Sequence, residues 1–338
     1  MTRYSDFVQR NQKNALFNGN FENWPEGLGP YAGSLAVHTA LMTLFARSGS
    51  GEYSITASSS SKPNDNCNYV HKVEVTTAEA SVESGDYAGV LIRVEGYDYY
   101  PFRDEVATLS FWVRSSVTGI YCVSFRSSIN DASYIVEYTI NSADTWEYKT
   151  IPITFSEIYG TWDITNGRGL NIWWSICAGA TYQTGTTDNW VSGNYLATSN
   201  QVNGAATIGN TFQLSHCQLE LGSVATDYEY IDIASLVQLV RRYYQYIPLN
   251  HMIATCVQTG SGIAYLNFEI PVILRAAPTV TNDSTQMWNP NTGWRATTSV
   301  TNSTSTYRNL AILYDTGYSY TVYWVLLVIG NWYFDARL

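Results

Sequence analysis

The chain has 338 residues, of which 14% are charged, and its formal net charge at pH 7 is −10. Because no segment rich in Lys or Arg offsets this charge, a general affinity for nucleic acid is excluded. The N-terminus lacks the apolar core of a signal peptide, and the apolar stretch at 320–329 is too short to span a bilayer, so we expect no membrane insertion.

The composition favours strands over helices. Tyrosine occurs 27 times and tryptophan 11 times, and Ser, Thr, Asn and Gly supply most of the polar side chains. Aromatic and β-branched residues are typical of strands, so we predict an all-β protein long enough for two domains. Low charge with many Tyr, Asn and Ser is typical of surfaces that bind neutral, hydroxyl-rich ligands, and equally of parts packed into a large particle. The five cysteines form no C-x-x-C pair, which indicates reduced thiols in a protein assembled in the cytoplasm.

The N-terminal part of the chain predicts an anchor and a first domain. Residues 1–13 are polar and unpatterned, and we expect an anchor segment that orders on a partner. Residues 14–231 alternate strand-like segments with loops rich in Ser, Asn and Gly, which predicts a jelly-roll β-sandwich. The predicted strands are 69–75, 90–94, 107–114, 121–126, 135–140, 147–155, 169–178 and 211–221. Residues 34–46 fit a helix or a strand equally well.

A short helix is predicted to link the jelly roll to a second domain. Asp232 or Ser235 can cap its first turn, and Ser235 with Gln238 has the spacing of a capping box. Apolar residues recur at helical spacing up to Tyr243, and Pro248 ends the pattern, which gives a linking helix at 232–246. Residues 247–338 predict a small C-terminal β-sandwich. Its predicted strands are 252–258, 262–269, 279–281, 293–301, 309–314 and 319–329.

One motif crosses the junction between the two predicted domains. It reads Q-x-E-x-G-x-x-A-T-x-(F/Y)-E followed by R-Y-Y, at Gln218, Glu220, Gly222, Ala225, Thr226, Tyr228, Glu229, Arg242, Tyr243 and Tyr244. The motif resembles the junction after the jelly roll in bacteriophage tail-fibre and receptor-binding proteins. Residues 271–280 resemble that family's P-x-x-M-R-A-x-P-T-V, and the last residues resemble its D-A-E-L ending. The chain departs from the family pattern at Asp227, Val240, Arg241, Leu274 and Arg337.

The resemblance covers the C-terminal part of the chain and implies a virion protein assembled in the host cytoplasm. A tail-fibre or receptor-binding subunit would be a homotrimer, would attach to phage tail proteins through its N-terminal segment, and would contact a host surface glycan. A head-fibre or capsid decoration protein, attached to capsid proteins, is the alternative within the same class.

A second resemblance lies near the start of the first domain. The segment N-G-N-F-E at 18–22 resembles the first strand of carbohydrate-binding jelly rolls. Such relatives often hold a structural calcium near the seam of the first and last strands, and Glu22 and Asp227 would be its ligands here. The alternative is two exposed carboxylates at strand ends. No other cofactor is expected.

Enzyme activity is not expected. The sequence has no G-x-S-x-G, no H-E-x-x-H and no phosphate loop, and its four histidines are isolated. A polysaccharide depolymerase remains an alternative, because the fold rather than sequence spacing brings catalytic carboxylates together. The missing signal peptide disfavours a secreted carbohydrate-binding module.

Aromatic residues beside Asn or Arg are the candidates for glycan contact, since a sugar stacks on the ring and its hydroxyls bond the polar groups. In the C-terminal unit the candidates lie in or beside predicted loops: Trp288, Trp294, Arg295, Tyr307 and Arg308. In the first unit a predicted exposed loop at 97–102 offers Tyr97, Tyr99 and Tyr100. Trp173 and Trp174 lie in a strand pattern and are predicted to pack in a core. Contact between subunits is the competing interpretation of the exposed aromatics.

Overall fold

The computed structural model describes residues 13–32, 36–156, 158–255, 263–269, 274–276, 278–289, 293–296, 299–305, 309–315 and 325–338. The chain divides into two compact units, Met1–Ile231 together with Leu338, and Asp232–Arg337. From residue 247 onward, side chains are described only at 274–276, 278–279 and 335–338. Nearly every described element is a strand, which confirms the predicted all-β fold class.

The described part of the first unit contains thirteen strands and two short helical segments. The strands are β1 (Tyr31–Ala32), β2 (Ala36–His38), β3 (Thr43–Ser48), β4 (Glu52–Ser58), β5 (Val70–Thr77), β6 (Tyr87–Glu95), β7 (Val106–Ser115), β8 (Gly119–Arg126), β9 (Ala132–Ile140), β10 (Glu147–Thr154), β11 (Arg168–Ala178), β12 (Trp190–Ser192) and β13 (Thr211–Leu221). One helical segment follows β6, with an α-turn α1 (Gly96–Tyr99) and a 3-10 turn at Tyr100–Phe102, and a second 3-10 turn lies at Ala180–Tyr182.

These strands form the two layers of a jelly-roll sandwich. The first sheet has the order β1-β4-β5-β13-β7-β10, and the second sheet has the order β12-β9-β8-β11-β6-β3-β2. All pairings between their strands are antiparallel. The last strand, β13, lies in the middle of the first sheet between β5 and β7, so the end of the unit closes its own core.

A single aromatic-rich core fills the space between the two sheets. Phe111 on β7 and Trp174 on β11 are fully buried and meet edge to face, with ring centroids 5.6 Å apart. Phe111 also meets Tyr138 on β9 edge to face at 5.3 Å. The burial of this aromatic area supplies much of the driving force for folding of the first unit.

The structure also decides the segment that the sequence left open. Residues 36–38 and 43–48 are strands β2 and β3, joined by a turn in which Met42 adopts a φ of 63°. Strand β4 has no predicted counterpart, although its buried Tyr53 and Ile55 alternate with polar residues. Its pattern is short and lies between polar stretches, so the signal for a strand is weak.

The N-terminal segment runs beside β13 but does not form a regular strand. The amide of Ala15 donates to the carbonyl of Leu219 at 2.9 Å, and the amide of Cys217 donates to the carbonyl of Gly19 at 2.8 Å. Phe21 then leaves this path with a φ of 57°. The expected first strand is therefore an irregular segment held in the predicted place, against the last strand.

The junction motif forms a hydrogen-bonded clasp at this seam. The Glu220 carboxylate accepts hydrogen bonds from the amide and hydroxyl of Thr226 at 2.8 and 2.7 Å. The side-chain oxygen of Gln218 accepts from the amide of Glu229, and the Glu229 carboxylate accepts from the amide of Asn14, each at 2.8 Å. The motif residues therefore fasten the chain that follows β13 to the start of the unit.

The second unit begins with helix α2 (Ile233–Tyr243), which Asp232 caps. The Asp232 carboxylate accepts from the amides of Ala234 and Ser235, each at 3.0 Å, so Asp232 rather than Ser235 is the N-cap. The helix ends at Tyr243 instead of 246, and Pro248 lies within the strand that follows.

Seven described strands form one antiparallel sheet in the second unit. They are β14 (Tyr244–Thr255), β15 (Ile263–Glu269), β16 (Thr279–Asn289), β17 (Gly293–Ala296), β18 (Ser299–Ser305), β19 (Asn309–Asp315) and β20 (Val325–Asp335). Their order is β17-β16-β20-β14-β15-β19-β18, with the last strand β20 between β16 and β14. None of the helices in the described ranges is long and apolar enough to cross a membrane.

A buried histidine in the jelly roll should make stability depend on pH. The ring of His71 on β5 stacks on Trp24 at 5.4 Å, and its Nε2 lies 2.9 Å from the Thr39 hydroxyl. Burial lowers the pKa of His71 from 6.5 to about 3. Between these two pH values the unfolded chain binds the proton and the folded chain does not, so acidification favours unfolding.

We therefore expect the free energy of unfolding to fall more steeply with acidification in the wild type than in His71→Phe. The excess should approach about 1.4 kcal/mol per pH unit in the middle of this window. Denaturant titrations at several pH values between 7 and 4 measure it. Phenylalanine keeps an aromatic ring against Trp24 but does not titrate, so parallel pH profiles for the two proteins would contradict a neutral buried His71.

Candidate functional site

The outer face of the second sheet carries an unusual concentration of polar and aromatic side chains. Strand β11 alternates, so Trp174 points into the core while its neighbour Trp173 belongs to a separate cluster on the opposite face. The indole of Trp173 lies over Gly89, where a Cβ would come within 2.6 Å of two ring atoms. Gly89 therefore provides the space in which Trp173 lies on the sheet.

A cross-strand row of polar residues lies beside Trp173. In the register of the sheet, Asn171 on β11 is paired with Arg126 on β8 and with Arg93 on β6. These three residues are thus neighbours on three adjacent strands and face the same side. Arg126 is 5% exposed and its guanidinium lies 5.5 Å from the centroid of the Trp173 ring.

Hydrogen bonding within the described residues satisfies only part of this row. Arg126 Nη1 donates to the Asn194 side-chain oxygen at 2.8 Å, and Asn171 Nδ2 donates to the carbonyl of Ser127 at 2.8 Å. Arg93 Nη1 donates to the main-chain oxygen of Leu338. Several buried polar atoms on this face have no partner among the described residues: Arg93 Nε, Arg126 Nε, Asn171 Oδ1, Trp173 Nε1 and Ser175 Oγ. Buried polar atoms are normally paired, so this group of polar atoms beneath the tyrosines is an uncommon feature of the jelly roll.

Three half-buried tyrosines, Tyr87, Tyr182 and Tyr195, lie around the row. Tyr87 meets Trp173 edge to face at 5.7 Å and meets Tyr182 edge to face at 5.0 Å. Tyr195 is held by its main chain, since the Ser124 hydroxyl donates to its carbonyl at 2.7 Å and its amide donates to the Ser133 hydroxyl at 2.9 Å. The long loop after β11, predicted at 179–209, therefore brings two of the tyrosines onto the face.

Burial and repulsion between neighbouring arginines lower the pKa values of the guanidinium groups at this site. Burial lowers the pKa of Arg126 to about 9, with Arg168 and Arg93 lowering it further and Tyr87 and Tyr182 acting in the opposite direction. Burial and the charge of Arg168 lower the pKa of Arg93 to about 10. Burial raises the pKa of the Tyr87 hydroxyl. At neutral pH the site therefore holds positive guanidinium groups beside neutral phenols.

The chain forms a helical segment after β6, where a loop with exposed tyrosines was predicted at 97–102. This segment contradicts part of that prediction. Tyr97 and Tyr100 are 41% and 54% exposed, and the guanidinium of Arg103 lies 5.5 Å from the Tyr100 ring centroid. Tyr99 and Phe102 are buried, and Tyr99 stacks on Trp162 at 4.8 Å. The prediction of ligand contact by Tyr99 is wrong because its ring belongs to the core, whereas Tyr97 and Tyr100 remain candidates on the surface.

The candidates of the C-terminal unit fall largely outside the described residues. Trp288 on β16 and Trp294 on β17 are paired across the hairpin, and Arg295 is the next residue on β17, but these side chains lie outside the described part. Tyr307 and Arg308 lie outside it altogether. Trp288 lies near the end of β16, and Trp294 and Arg295 lie in β17.

The two residues expected to bind calcium, Glu22 and Asp227, both lie within the described part of the chain. The Glu22 carboxylate accepts from the main-chain and side-chain nitrogens of Asn68 at 2.6 and 2.9 Å. The main-chain oxygen of Asp227 accepts from Lys13 at 2.8 Å. Within the described ranges no group of three or more His, Cys, Asp or Glu residues is arranged to hold a metal. Calcium takes six to eight oxygen ligands, which can include main-chain carbonyls, so calcium binding at Glu22 and Asp227 stays a prediction.

Sequence reasoning did not identify the row itself. Arg93, Arg126 and Asn171 are far apart in the chain, and each interrupts a strand that is otherwise mostly apolar or small. A polar residue in phase with the outward positions of such a strand is the one signal that points to them.

No protein-family profile matches the sequence, and no curated protein matches it. Among solved structures, the enzymatically active domain of tailspike protein 4 from bacteriophage CBA120 aligns with 62% of this chain and 22% of its own, with 12% identity and a TM-score of 0.35. The match therefore spans about a fifth of the tailspike chain. The carbohydrate-binding module TmCBM61, solved with β-1,4-galactotriose, aligns with 62% of this chain and 100% of its own, with 12% identity and a TM-score of 0.31. The family 11 carbohydrate-binding module of a Clostridium thermocellum cellulase aligns with 60% and 100%, with 13% identity and a TM-score of 0.31. Likenesses of this strength carry no argument about a ligand.

Proposed function

We propose that this protein is a non-enzymatic, glycan-binding subunit of a bacteriophage particle, a tail fibre or receptor-binding protein that contacts a host surface glycan. The proposal of glycan binding is based on the side chains on the outer face of the second sheet. Half-buried tyrosines surround buried Arg and Asn side chains there, and several polar atoms lack partners among the described residues.

This arrangement suits the chemistry of a sugar. The faces and edges of Tyr87 and Tyr182 offer apolar contact to the C–H groups of a ring, while their hydroxyls offer hydrogen bonds. The hydroxyls of these tyrosines can both donate and accept, so both kinds of hydroxyl contact are available beside a rigid sheet. A site on strands with a loop above it keeps these groups fixed before the ligand arrives.

The particle assignment rests on the junction motif and on the N-terminal segment. The side chain of Lys13 donates to Thr226 and to the main chain of Asp227, so the first described residue is bonded to the junction motif. The residues before Lys13, which lie outside the described part, are the proposed attachment segment to tail proteins. A protein lacking residues 1–12 should fold but be absent from purified particles, and its normal incorporation would contradict this attachment. Immunogold labelling of intact particles separates a tail position from the head-fibre or capsid alternative.

Homotrimeric assembly is the second part of this proposal. Helix α2 has only eleven residues, and isolated helices of that length are marginal in water, so it needs packing partners. The trimer places one such helix from each subunit together. Multi-angle light scattering measures the mass of the full chain, and a monomer at micromolar concentration contradicts the trimer.

The glycan-binding prediction concerns Tyr87→Ala and Tyr182→Ala. On a glycan array of bacterial surface polysaccharides the wild type should bind at least one, and each substitution should weaken that binding about tenfold. Removal of a contacting ring costs about 1 to 2 kcal/mol, which corresponds to this factor. Titration calorimetry with the strongest ligand of the array gives the affinities.

Tyr148→Ala is the matched control. Tyr148 is 45% exposed and lies on β10 of the first sheet, where it packs against Trp112 at 5.4 Å. The Tyr148→Ala variant should bind the glycan with the affinity of the wild type. Failure to bind any polysaccharide, or an equal loss in Tyr148→Ala, would contradict the proposed site. Steady release of reducing ends from the bound polysaccharide would favour the depolymerase alternative.

A further inference from the structure

We propose that Asn194 gives the glycan site of the second sheet its specificity, and that its side-chain amide donates to the carbonyl oxygen of an acetamido group on an N-acetylated amino sugar. Arg126 is the positioning residue that orients this amide. The inference rests on the proposed function and names the class of sugar that the site takes. It agrees with the low charge of the chain, which favours neutral ligands.

The first argument is that the turn carrying Asn194 is rigid. The Ser133 hydroxyl donates to the carbonyl of Gly193 at 2.6 Å and accepts from the amide of Tyr195 at 2.9 Å. The Ser124 hydroxyl donates to the carbonyl of Tyr195 at 2.7 Å. The ring of Tyr195 lies over Gly193, where a Cβ would come within 2.6 Å of a ring atom. The main chain on both sides of Asn194 is therefore fixed to strands β8 and β9 before a ligand arrives.

The second argument is the orientation of the Asn194 amide. Asn194 is exposed, and its Oδ1 accepts a hydrogen bond from Arg126 Nη1 at 2.8 Å. A guanidinium only donates, so this bond fixes which end of the amide faces Arg126. The Nδ2 group turns away from Arg126 and has no hydrogen-bond partner among the described residues. The charge of Arg126 also polarises the amide, which makes Nδ2 a stronger donor.

The third argument is the surface around this donor. The guanidinium of Arg126 lies 5.5 Å from the centroid of the Trp173 ring, and the Tyr87 ring lies 5.7 Å from the same centroid. Tyr87 and Tyr182 are half-buried and meet edge to face at 5.0 Å. Their rings offer apolar contact, and their hydroxyls accept as well as donate. These contacts join the fixed donor of Asn194 and the two tyrosines into one surface.

An acetamido group complements this surface. Its carbonyl oxygen only accepts, whereas Asn194 Nδ2 only donates. Its N–H can donate to a tyrosine hydroxyl, and its methyl group adds apolar contact with a tyrosine ring. A hydroxyl at the same position of the sugar can accept from Asn194 but brings no methyl group, so it should bind more weakly.

The test uses the full chain and pairs of neutral sugars that carry either an acetamido group or a hydroxyl at C2. The pairs are chitotetraose with cellotetraose, N-acetyllactosamine with lactose, and the methyl glycosides of N-acetylgalactosamine and galactose, each titrated by calorimetry. The wild type should bind the acetamido member of at least one pair about tenfold more tightly than the hydroxyl member. A better matched hydrogen bond and a buried methyl group together account for a factor of this size.

Asn194→Asp is the decisive substitution. It keeps the shape of the side chain and the bond to Arg126 but replaces the Nδ2 donor with an acceptor. Binding of the acetamido sugar should fall about tenfold or more, because the carboxylate faces its carbonyl oxygen. The hydroxyl sugar can donate to the carboxylate and should bind no more weakly than before. Because the new carboxylate forms an ion pair with Arg126, thermal unfolding should show a protein at least as stable as the wild type.

Asn64→Asp is the matched control for the added charge. Asn64 is exposed in the loop between β4 and β5 of the first sheet, and its Oδ1 likewise accepts a hydrogen bond, from the amide of Asn66 at 2.9 Å. The substitution therefore introduces the same charge at an asparagine with a similar environment. It should leave the affinities for both members of each pair unchanged.

The positioning role of Arg126 has its own readout. Arg126→Met fills a similar volume but cannot hold the Asn194 amide, so the ratio of the acetamido affinity to the hydroxyl affinity should fall towards one. In the Asn194→Asp background the same substitution should not change this ratio. A purely structural Arg126 would weaken both sugars equally in both backgrounds, and that result would overturn the positioning role.

The remaining outcomes separate the inference from the proposed function. Equal affinities within every pair, a preference for the hydroxyl sugars, or no binding of the three acetamido sugars overturns the inference. An acetamido preference that survives Asn194→Asp, or falls equally in Asn64→Asp, also overturns it. An array polysaccharide whose binding is lost in Tyr87→Ala but kept in Asn194→Asp overturns the inference and leaves glycan binding intact. If neither the sugar pairs nor the array shows binding, both proposals fail.

Discussion

Replacement of Trp174 by alanine should destabilise the jelly roll by about 3 to 5 kcal/mol. Trp174 on β11 has no exposed surface and fills the space between the two sheets. Its ring meets Phe111 edge to face across the sandwich. The substitution removes a large buried aromatic group and leaves a cavity that a two-layer sandwich cannot close, because both walls are strands held in register.

Denaturant titration of the full chain, followed by near-UV circular dichroism, measures this loss. Trp112→Ala is the matched control, since Trp112 lies beside Phe111 on β7 but faces outward and is only half-buried against Tyr148. Its effect should be less than half as large. Equal effects of the two substitutions would contradict the assignment of the core to the Phe111 and Trp174 side of the strands.

Gly19→Ala should be at least as damaging, with a loss of about 4 kcal/mol or a failure to fold. A Cβ at Gly19 would lie 1.8 Å from the carbonyl oxygen of Cys217. The two main chains are joined at this point by a hydrogen bond of 2.8 Å from the Cys217 amide to the Gly19 carbonyl. Because the obstacle is main chain rather than a flexible side chain, relief requires separation of the N-terminal segment from β13.

Gly85→Ala provides the comparison, because no atom lies within 4 Å of a Cβ built at that position. Its stability should stay within about 0.5 kcal/mol of the wild type. Soluble yield and thermal unfolding followed by circular dichroism measure both variants. A folded Gly19→Ala protein with wild-type stability would show that the N-terminal segment does not pack against the last strand.

The predicted strands of the jelly roll followed from local pattern. Strands β7, β8, β11 and β13 have long runs of apolar, aromatic and β-branched residues bounded by turn residues, and the structure places each near its predicted bounds. Strand β4 was missed because seven residues rich in Ser and Thr give little contrast between faces. The helix end was misplaced because Pro248 marks where a helix cannot continue, whereas tertiary pairing of Tyr244 with Asp335 starts β14 earlier.

The aromatic candidates also show how far local sequence pattern can predict the position of a side chain. The pattern of β11 correctly predicted that Trp173 and Trp174 are both buried, but it did not show that they belong to two different clusters on opposite faces of the strand. Tyr99 was expected on a loop surface and is instead core, because the chain forms a helical turn after β6 that rotates this ring inward while Tyr97 and Tyr100 stay exposed.

The sequence by itself determined the all-β class, most strands of the jelly roll and the motif at the junction, because each is a property of neighbouring residues. Only the tertiary structure decided the candidate site. Arg93, Asn171 and Arg126 meet because β6, β11 and β8 pair in one register, and a shift of one residue in either pairing would send a side chain of the row to the core. Register depends on the packing of both sheets at once, and local pattern does not encode it.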